Sequence, residues 1–154
     1  MKPDITDYCR GLVAGGASSA QLQKWGKMHK ILEAGVEATM PGIPSSDLYR
    51  VQVDTAEKLN IDMTSWPAQR FGHGSGLHTT EPPYISRDDD TILEPGMILH
   101  IEPGCIEKDG IYVLEEQVLV TENGEKYFHM PLGNCRHKKY HVPLNLSSSG
   151  MIII

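Results

Sequence analysis

Apolar residues recur at three- and four-residue spacing in the first third of the chain, and this pattern predicts two helices. Ser18-Ser19-Ala20-Gln21 has the form of a capping box, so the first helix should begin there and end before Pro41-Gly42. A second helix is predicted over about residues 46 to 59. Both apolar stripes are typical of helices packed on a core. The stripes consist of Leu22, Trp25, Met28, Leu32 and Val36 in the first helix, and Leu48, Val51 or Val53, Ala56 and Leu59 in the second.

From Trp66 onward the apolar segments have the length of strands and are separated by prolines and glycines. Residues 97–102 lie between two Pro-Gly pairs and predict one strand. Residues 111–121 predict a second strand that ends at the turn Glu122-Asn123-Gly124, and residues 126–128 begin a further candidate strand. The predicted order is therefore helix, helix, then strands.

Alternation along the predicted strands places acidic side chains in unusual positions. His100 and Glu102 should share one face of the first strand, and Glu115 and Gln117 should share one face of the second. A carboxylate within a largely apolar strand needs a partner such as a cation or a metal ion, because burying it alone is very unfavourable. Two simpler interpretations stay open: both glutamates are solvent-facing strand ends, or Glu116 is the residue that points inward.

The segment Arg70 to Pro83 reads RFGHGSGLHTTEPP and carries a histidine between two glycines. Glycine has no side chain and adopts many backbone conformations, so we expect the imidazole of His73 to be presented bare, on main chain that is free to take unusual dihedral angles. Such a histidine is suited to ligand binding. The alternative is a loop histidine that is hydrogen-bonded to the main chain.

Composition narrows the class of protein. With 154 residues, 40% hydrophobic and 22% charged, the chain fits one globular domain. Its net charge of −6 disfavours nucleic acid or an anionic membrane as a partner. Neither terminus carries an apolar run long enough to span a membrane. The cysteines are odd in number and lack C-x-x-C spacing, so we expect a reducing cytoplasm; they are Cys9, Cys105 and Cys135.

Three segments occur together in one order: GHGSGLHTTEPP, LEPGMILHIEPG and EEQVLVTENG. Together they resemble the C-terminal half of the pita-bread-fold metallohydrolases, the family of methionine aminopeptidase, aminopeptidase P, prolidase and creatinase. Asp7-Tyr8-Cys9-Arg10 is similar to the family's D-x-x-R segment, so the resemblance covers about residues 5 to 125. It implies an α+β pita-bread fold, incomplete at its N-terminal side, with two helices followed by an antiparallel curved sheet. Residues 1–133 would form a partial catalytic domain and residues 134–154 a tail of unknown role.

The resemblance also implies a set of metal ligands. It makes His73 the nitrogen ligand, Glu102 a carboxylate ligand and proton shuttle, Glu115 a bridging carboxylate, and Asp7 the second of two aspartate ligands. The resemblance further implies two divalent ions, and the ligand set suits Mn²⁺, Co²⁺, Zn²⁺ or Fe²⁺. Such ions activate water and polarise a carbonyl group.

Further roles follow from the same resemblance. Arg10 and His78 are candidate catalytic residues that orient ligands or substrate, and Thr80 and His100 are candidate substrate-binding residues. Thr80 stands where prolidase-like relatives have the histidine of H-E-x-P. A hydroxyl donates one hydrogen bond but does not shuttle protons near neutral pH.

The implied function is that of a metal-dependent hydrolase, in first place an Xaa-Pro peptidase that acts on a peptide or small molecule and forms a homodimer when intact. Two alternatives stay open: an inactive pita-bread domain that serves as a binding module, and a creatinase-type hydrolase of a small C–N substrate. The family's first aspartate would lie about eleven residues before Asp7, which predicts that the chain is a fragment. Asp4 is the alternative aspartate nearby.

Overall fold

The computed structural model describes residues 7–13, 15–127 and 151–153 and shows two helices and two sheets. The helices are α1 (Ser19–Glu37) and α2 (Ser45–Lys58). One sheet has the order β1-β9-β6-β5 and the other the order β3-β2-β4-β7-β8. The strands are β1 (Gly11–Val13), β2 (Arg70–Gly74), β3 (Glu81–Ser86), β4 (Ile98–Ile101), β5 (Gly104–Glu107), β6 (Gly110–Val113), β7 (Glu116–Thr121), β8 (Gly124–Tyr127) and β9 (Met151–Ile153).

Both predicted helices are confirmed. Ser18 is the N-cap of α1: its hydroxyl accepts a hydrogen bond from the main-chain N–H of Gln21 at 3.2 Å, and the Gln21 side chain accepts one from the N–H of Ser18 at 2.9 Å. The second helix begins at Ser45, one residue earlier than predicted. The capping box therefore fixes the start of α1 as the sequence indicates.

Replacing Ser18 with alanine is expected to lower the free energy of unfolding by about 1 kcal/mol, because the first turn of α1 loses its side-chain acceptor. Chemical denaturation of the wild type and the variant measures this change. Ser19→Ala is the matched control, since Ser19 is exposed and already lies within the helix. Equal losses in the two variants would contradict the assignment of Ser18 as the cap.

The helices cover the sheets and form the core with them. α1 packs against β4, β6, β7 and β8, and α2 packs against β2 and β3. Their buried stripes meet apolar residues of the strands, so the two helices hold the strands that carry the polar residues discussed below. The fully buried members of this core include Met28, Ile31, Val36, Leu48, Ile85, Leu99, Ile101 and Leu114.

The prediction of one strand over residues 111–121 is wrong, because the chain bends at Leu114 and Glu115 and forms β6 and β7 in different sheets. The other arm of this hairpin bends at the same level. β4 ends at Ile101, one residue before the predicted end, and β5 begins at once after Pro103. One long hairpin thus runs through both sheets, with its two bends side by side: the N–H of Leu114 bonds the carbonyl of Pro103 at 3.3 Å.

Several strands of the described residues were not predicted: β1, β2 (RFGHG), β3 (EPPYIS), β5 and β9. β2 lies between β3 and β4 in its sheet. The glycines of β2 allow it to lie close to β4, because a Cβ on Gly72 would lie 2.2 Å from the carbonyl oxygen of His100. In this segment glycine therefore marks strands packed closely together and not a loop.

The last described strand, β9, lies between β1 and β6, antiparallel to the first and parallel to the second. The predicted start of a strand at residues 126–128 is confirmed for its first two residues, since β8 begins at Gly124. The predicted domain boundary at residue 133 and the flexible Ser-Ser-Ser-Gly segment lie outside the described residues. Within the described part of the chain, neither helix has the length and hydrophobicity needed to cross a membrane.

Candidate metal centre

The two bends of the long hairpin carry the two glutamates that the sequence singles out. Glu102 follows the last residue of β4, and Glu115 precedes the first residue of β7. The N–H of Glu102 donates to the carbonyl of Phe71 at 2.9 Å, and the N–H of Glu115 donates to the carbonyl of Cys9 at 3.2 Å. Main-chain hydrogen bonds therefore fix both residues where the two sheets meet, and the side chains do not rely on a flexible loop.

A row of polar residues crosses the five-stranded sheet next to these bends. His73 of β2 pairs with His100 of β4, and His100 pairs with Gln117 of β7. Directly paired residues share one face of a sheet. The two imidazole rings stack with their centroids 5.0 Å apart. All three side chains are buried, although each is polar.

His73 faces both glutamates, and the expectation that its ring is presented bare is wrong. The residue lies in β2 and is 2% exposed. Its Nδ1 atom lies 3.0 Å from the carbonyl of Gly74, which only accepts, so Nδ1 carries the proton. The lone pair of Nε2 consequently faces the carboxylates of Glu115 at 3.8 Å and Glu102 at 3.9 Å.

Asp7 completes the group. One ligand atom each of Asp7, His73 and Glu115 lie within 4.8 Å of one another. Arg10 fastens this N-terminal segment to the second bend, because its guanidinium donates to the carbonyl of Glu115 and pairs with the carboxylate of Glu116 at 2.8 Å. Glu115 and Glu116 are both buried, so the two alternatives for the inward residue are both realised, with different partners.

The arrangement fits a divalent cation. The acceptor nitrogen and the carboxylate oxygens repel one another unless a proton or a cation lies between them, and gaps of 3.8 and 3.9 Å are too long for direct hydrogen bonds but leave room for a cation. Ligand atoms that each lie about 2 Å from one ion are separated from one another by about 3–4 Å. The hydrogen bond from Nδ1 to a carbonyl is the outer contact that orients a metal-binding histidine. The donor set, carboxylates with one imidazole, fits Mn²⁺, Co²⁺, Zn²⁺ or Fe²⁺.

The remaining predicted site residues lie at different distances from this group. His100 is fully buried, and its Nδ1 atom lies 2.8 Å from Oε1 of Glu115. His78 lies in the loop between β2 and β3, where its exposed ring is 3.3 Å from the Glu81 carboxylate. Thr80 is half-buried in the same loop. The structure therefore brings His100 and Arg10 to the metal-ligand candidates and places His78 and Thr80 on the neighbouring loop.

Sequence reasoning did not assign a role to Gln117 or Tyr8, which lie directly behind the candidate ligands. The Gln117 amide nitrogen is 3.2 Å from Nε2 of His100, and its oxygen accepts a hydrogen bond from the Tyr8 hydroxyl at 3.3 Å. The signal was present: Gln117 is a polar residue on the same predicted face as Glu115. Nothing in the local pattern connects it to His100, which lies 17 residues away.

Burial of Glu102, followed by the negative charges of Glu115 and Asp7, raises the pKa of its carboxyl group from 4.5 to about 7. Burial is also the main cause that lowers the pKa of His73. In the ion-free protein Glu102 therefore stays protonated at pH values at which an unfolded chain would have released the proton.

This shift predicts a pH dependence of stability in the presence of a chelator. Between pH 4.5 and 7 the folded chain binds more protons than the unfolded chain, so the free energy of unfolding should fall as the pH rises. Below pH 4.5 this penalty is absent, and above pH 7 it is complete, at roughly 3 kcal/mol for the single group. Urea denaturation of the wild type and Glu102→Gln from pH 5 to 8 measures it. The difference between the two proteins should change across this range, and a constant difference would contradict the shift.

The fold and the site together define a class: an α+β protein in which a buried histidine faces the carboxylates of Glu102 and Glu115, an arrangement that fits a divalent ion. The family model of metallopeptidase family M24 matches residues 4–122. The chain belongs to this family of metal-dependent peptidases.

Similar proteins agree with this assignment. The chain is 33% identical over 122 residues to the Xaa-Pro dipeptidase of Pyrococcus furiosus, covering 79% of this chain and 34% of that protein. It is 32% identical over 150 residues to the probable dipeptidase PepE of Mycobacterium tuberculosis, covering 91% of this chain and 36% of the relative. The solved prolidase from P. furiosus superimposes with a TM-score of 0.66 at 32% identity, covering 73% of this chain and 33% of the other. The chain thus spans about a third of the length of these relatives, and the expected pita-bread fold is confirmed for that part.

Proposed function

We propose that this chain carries the metal-binding part of a peptidase that cleaves Xaa-Pro bonds in short peptides. The observation that carries the proposal is the Nε2 atom of His73, which the Nδ1 contact leaves unprotonated and which faces the carboxylates of the buried Glu115 and the partly exposed Glu102, with Asp7 close to His73 and Glu115. The names of the similar dipeptidases support the substrate class. The reaction class rests on the ligand set and the substrate class on the relatives, so the two are tested separately below.

The proposed ligands are Asp7, His73 and Glu115 for one ion, with Glu102 next to His73 as a ligand toward a second. Bound divalent ions would supply the Lewis acid that activates a water molecule and polarises the scissile carbonyl. The side chains themselves hold this arrangement before any ion binds, because Glu102 and Glu115 are fixed at the bends and His73 by its carbonyl contact.

Glu102 is the proposed proton carrier. Its side chain is 21% exposed, against 2% for His73 and 3% for Glu115, so it faces the solvent side of the group. A carboxylate beside the activated water could accept its proton and return it to the leaving amine. His78 and Thr80 are proposed to contact the substrate from the loop between β2 and β3, and Arg10 to hold the segment that carries Asp7.

The experiment that tests the proposal separates ion binding from turnover. The purified chain is stripped with a chelator and titrated by calorimetry with Mn²⁺, Co²⁺ and Zn²⁺, and hydrolysis of Gly-Pro and Met-Pro is then compared with that of Gly-Leu. We expect ion binding, and faster cleavage of the proline peptides. Absence of ion binding would overturn the metal site and favour the binding module, and turnover of small amidino substrates alone would favour the creatinase-type reaction.

Two further properties are proposed for the intact protein. A homodimer is expected from the family resemblance, and light scattering of the full-length protein tests it. A reducing cytoplasmic location agrees with the two cysteines within the described residues, Cys9 and Cys105, which are both free thiols.

A further inference from the structure

A line of four residues leads from Tyr8, on the N-terminal segment, to Glu115. The Tyr8 hydroxyl donates to the Gln117 oxygen at 3.3 Å, the Gln117 nitrogen lies 3.2 Å from Nε2 of His100, and Nδ1 of His100 lies 2.8 Å from Oε1 of Glu115. Gln117, His100 and Glu115 are each at most 3% exposed. Water therefore has little access to this line, and each contact must satisfy its neighbours.

The contacts give the line a direction. A side-chain amide nitrogen only donates, so Nε2 of His100 accepts from Gln117, and a neutral ring then carries its proton on Nδ1. Oxygen is the atom of the Gln117 amide that faces Tyr8, which agrees with this orientation.

The contact with Glu115 also requires the proton of the His100 ring to be on Nδ1. A lone pair on Nδ1 held 2.8 Å from a carboxylate oxygen would be repelled, whereas an N–H there is attracted. This contact is short but bent away from linear hydrogen-bond geometry, so its attraction is mainly electrostatic. Two independent contacts thus place the proton on the side of Glu115.

We propose that Gln117 is a positioning residue that acts through His100: it keeps the imidazole proton on Nδ1, where it holds Oε1 of Glu115 and keeps this carboxylate oriented toward Asp7 and His73. His100 is then not a metal ligand, because its Nδ1 lone pair is absent and its Nε2 lone pair is engaged by Gln117. The proposal rests on the proposed function only in taking Glu115 as a ligand.

The first test reads the ring directly. In the ¹⁵N-labelled, ion-free full chain at one fixed pH near 8, the ring nitrogens of His100 are assigned with the help of a His100→Gln variant. We expect a protonated Nδ1 and an unprotonated Nε2. In Gln117→Glu the carboxylate accepts a hydrogen bond, so Nε2 should become protonated. A wild-type ring protonated on Nε2 alone would overturn the proposal and make His100 a candidate ligand.

The second test measures the consequence for ion binding. Calorimetry with Mn²⁺ or Zn²⁺ should show affinity about 10- to 100-fold weaker in Gln117→Glu, as for other changes behind a metal ligand. Gln23→Glu is the matched control, because Gln23 is exposed on α1. Gln117→Met, which removes the donor without adding charge, should also weaken binding.

The outcomes separate the two proposals. Wild-type affinity in folded Gln117→Glu and Gln117→Met would overturn the positioning role of Gln117. If the wild type binds no ion, the proposed function fails. The protonation of the two ring nitrogens of His100 still shows whether Gln117 donates to Nε2 and keeps the proton on Nδ1.

Discussion

Replacing Glu115 with glutamine is expected to weaken divalent-ion binding by on the order of 100-fold or more, since even residues behind a ligand cost about 10- to 100-fold. The variant keeps the shape of the side chain but removes the negative charge that faces His73. Calorimetric titration with Mn²⁺ measures the affinity, and the rate of Met-Pro hydrolysis should fall in parallel. Glu94→Gln is the control, because Glu94 is exposed and lies beside the turn that precedes β4.

The stability of the same variant distinguishes a ligand from a structural residue. Glu115 is 2% exposed, and its carboxylate oxygen Oε1 lies 3.8 Å from Nε2 of His73. Burying its negative charge is therefore costly when no ion is bound. Glu115→Gln should therefore raise the melting temperature of the ion-free chain while abolishing stabilisation by added Mn²⁺. A lower melting temperature together with unchanged ion affinity would show that Glu115 serves the fold and not an ion.

Replacing Gly72 with alanine is expected to lower the free energy of unfolding by about 3 kcal/mol or more. Gly72 has φ 151°, and an added Cβ would lie 2.2 Å from the carbonyl oxygen of His100 and 2.5 Å from the side chain of Ile85. β2 is held between β3 and β4 and has no room to move away from both. Urea denaturation of the ion-free chain measures the loss.

The matched control has the opposite expected sign. Gly26 lies on the exposed side of α1, and a Cβ there meets nothing within 4 Å. Gly26→Ala should stabilise the chain by roughly 0.5–1 kcal/mol, because alanine loses less backbone freedom than glycine in a helix. If both variants destabilised the chain equally, the close packing of β2 against His100 would not be the cause.

The helices were predictable because their signals are local. Ser18 and Gln21 lie three residues apart, and the side chain of each bonds the main-chain N–H of the other. Four consecutive residues therefore determine the start of α1. The strand that became β4 was also bounded locally, by Pro-Gly pairs on either side. The positions of Glu102 and Glu115 were indicated by alternation, and the family resemblance gave them a role that alternation alone left open.

The strands β2 and β3 were missed because glycine and proline normally mark turns. Here the glycines serve a contact with another strand, which only the folded structure shows. The bend that divides residues 111–121 has the same origin: it follows from the passage of one hairpin between two sheets. The burial of His73 and its orientation toward Glu102 and Glu115 depend on these non-local contacts.

The bends of the long hairpin connect the chemistry of the site to the mechanics of the fold. Glu102 and Glu115 lie at the two points where β4 passes into β5 and β6 passes into β7, so they sit on a hinge line between the sheets. A cation bound to both glutamates would cross-link the two bends and oppose any change in the curvature of the hairpin. Loading the site should therefore slow amide hydrogen exchange in both arms of the hairpin, including β5 and β6, which carry no ligand.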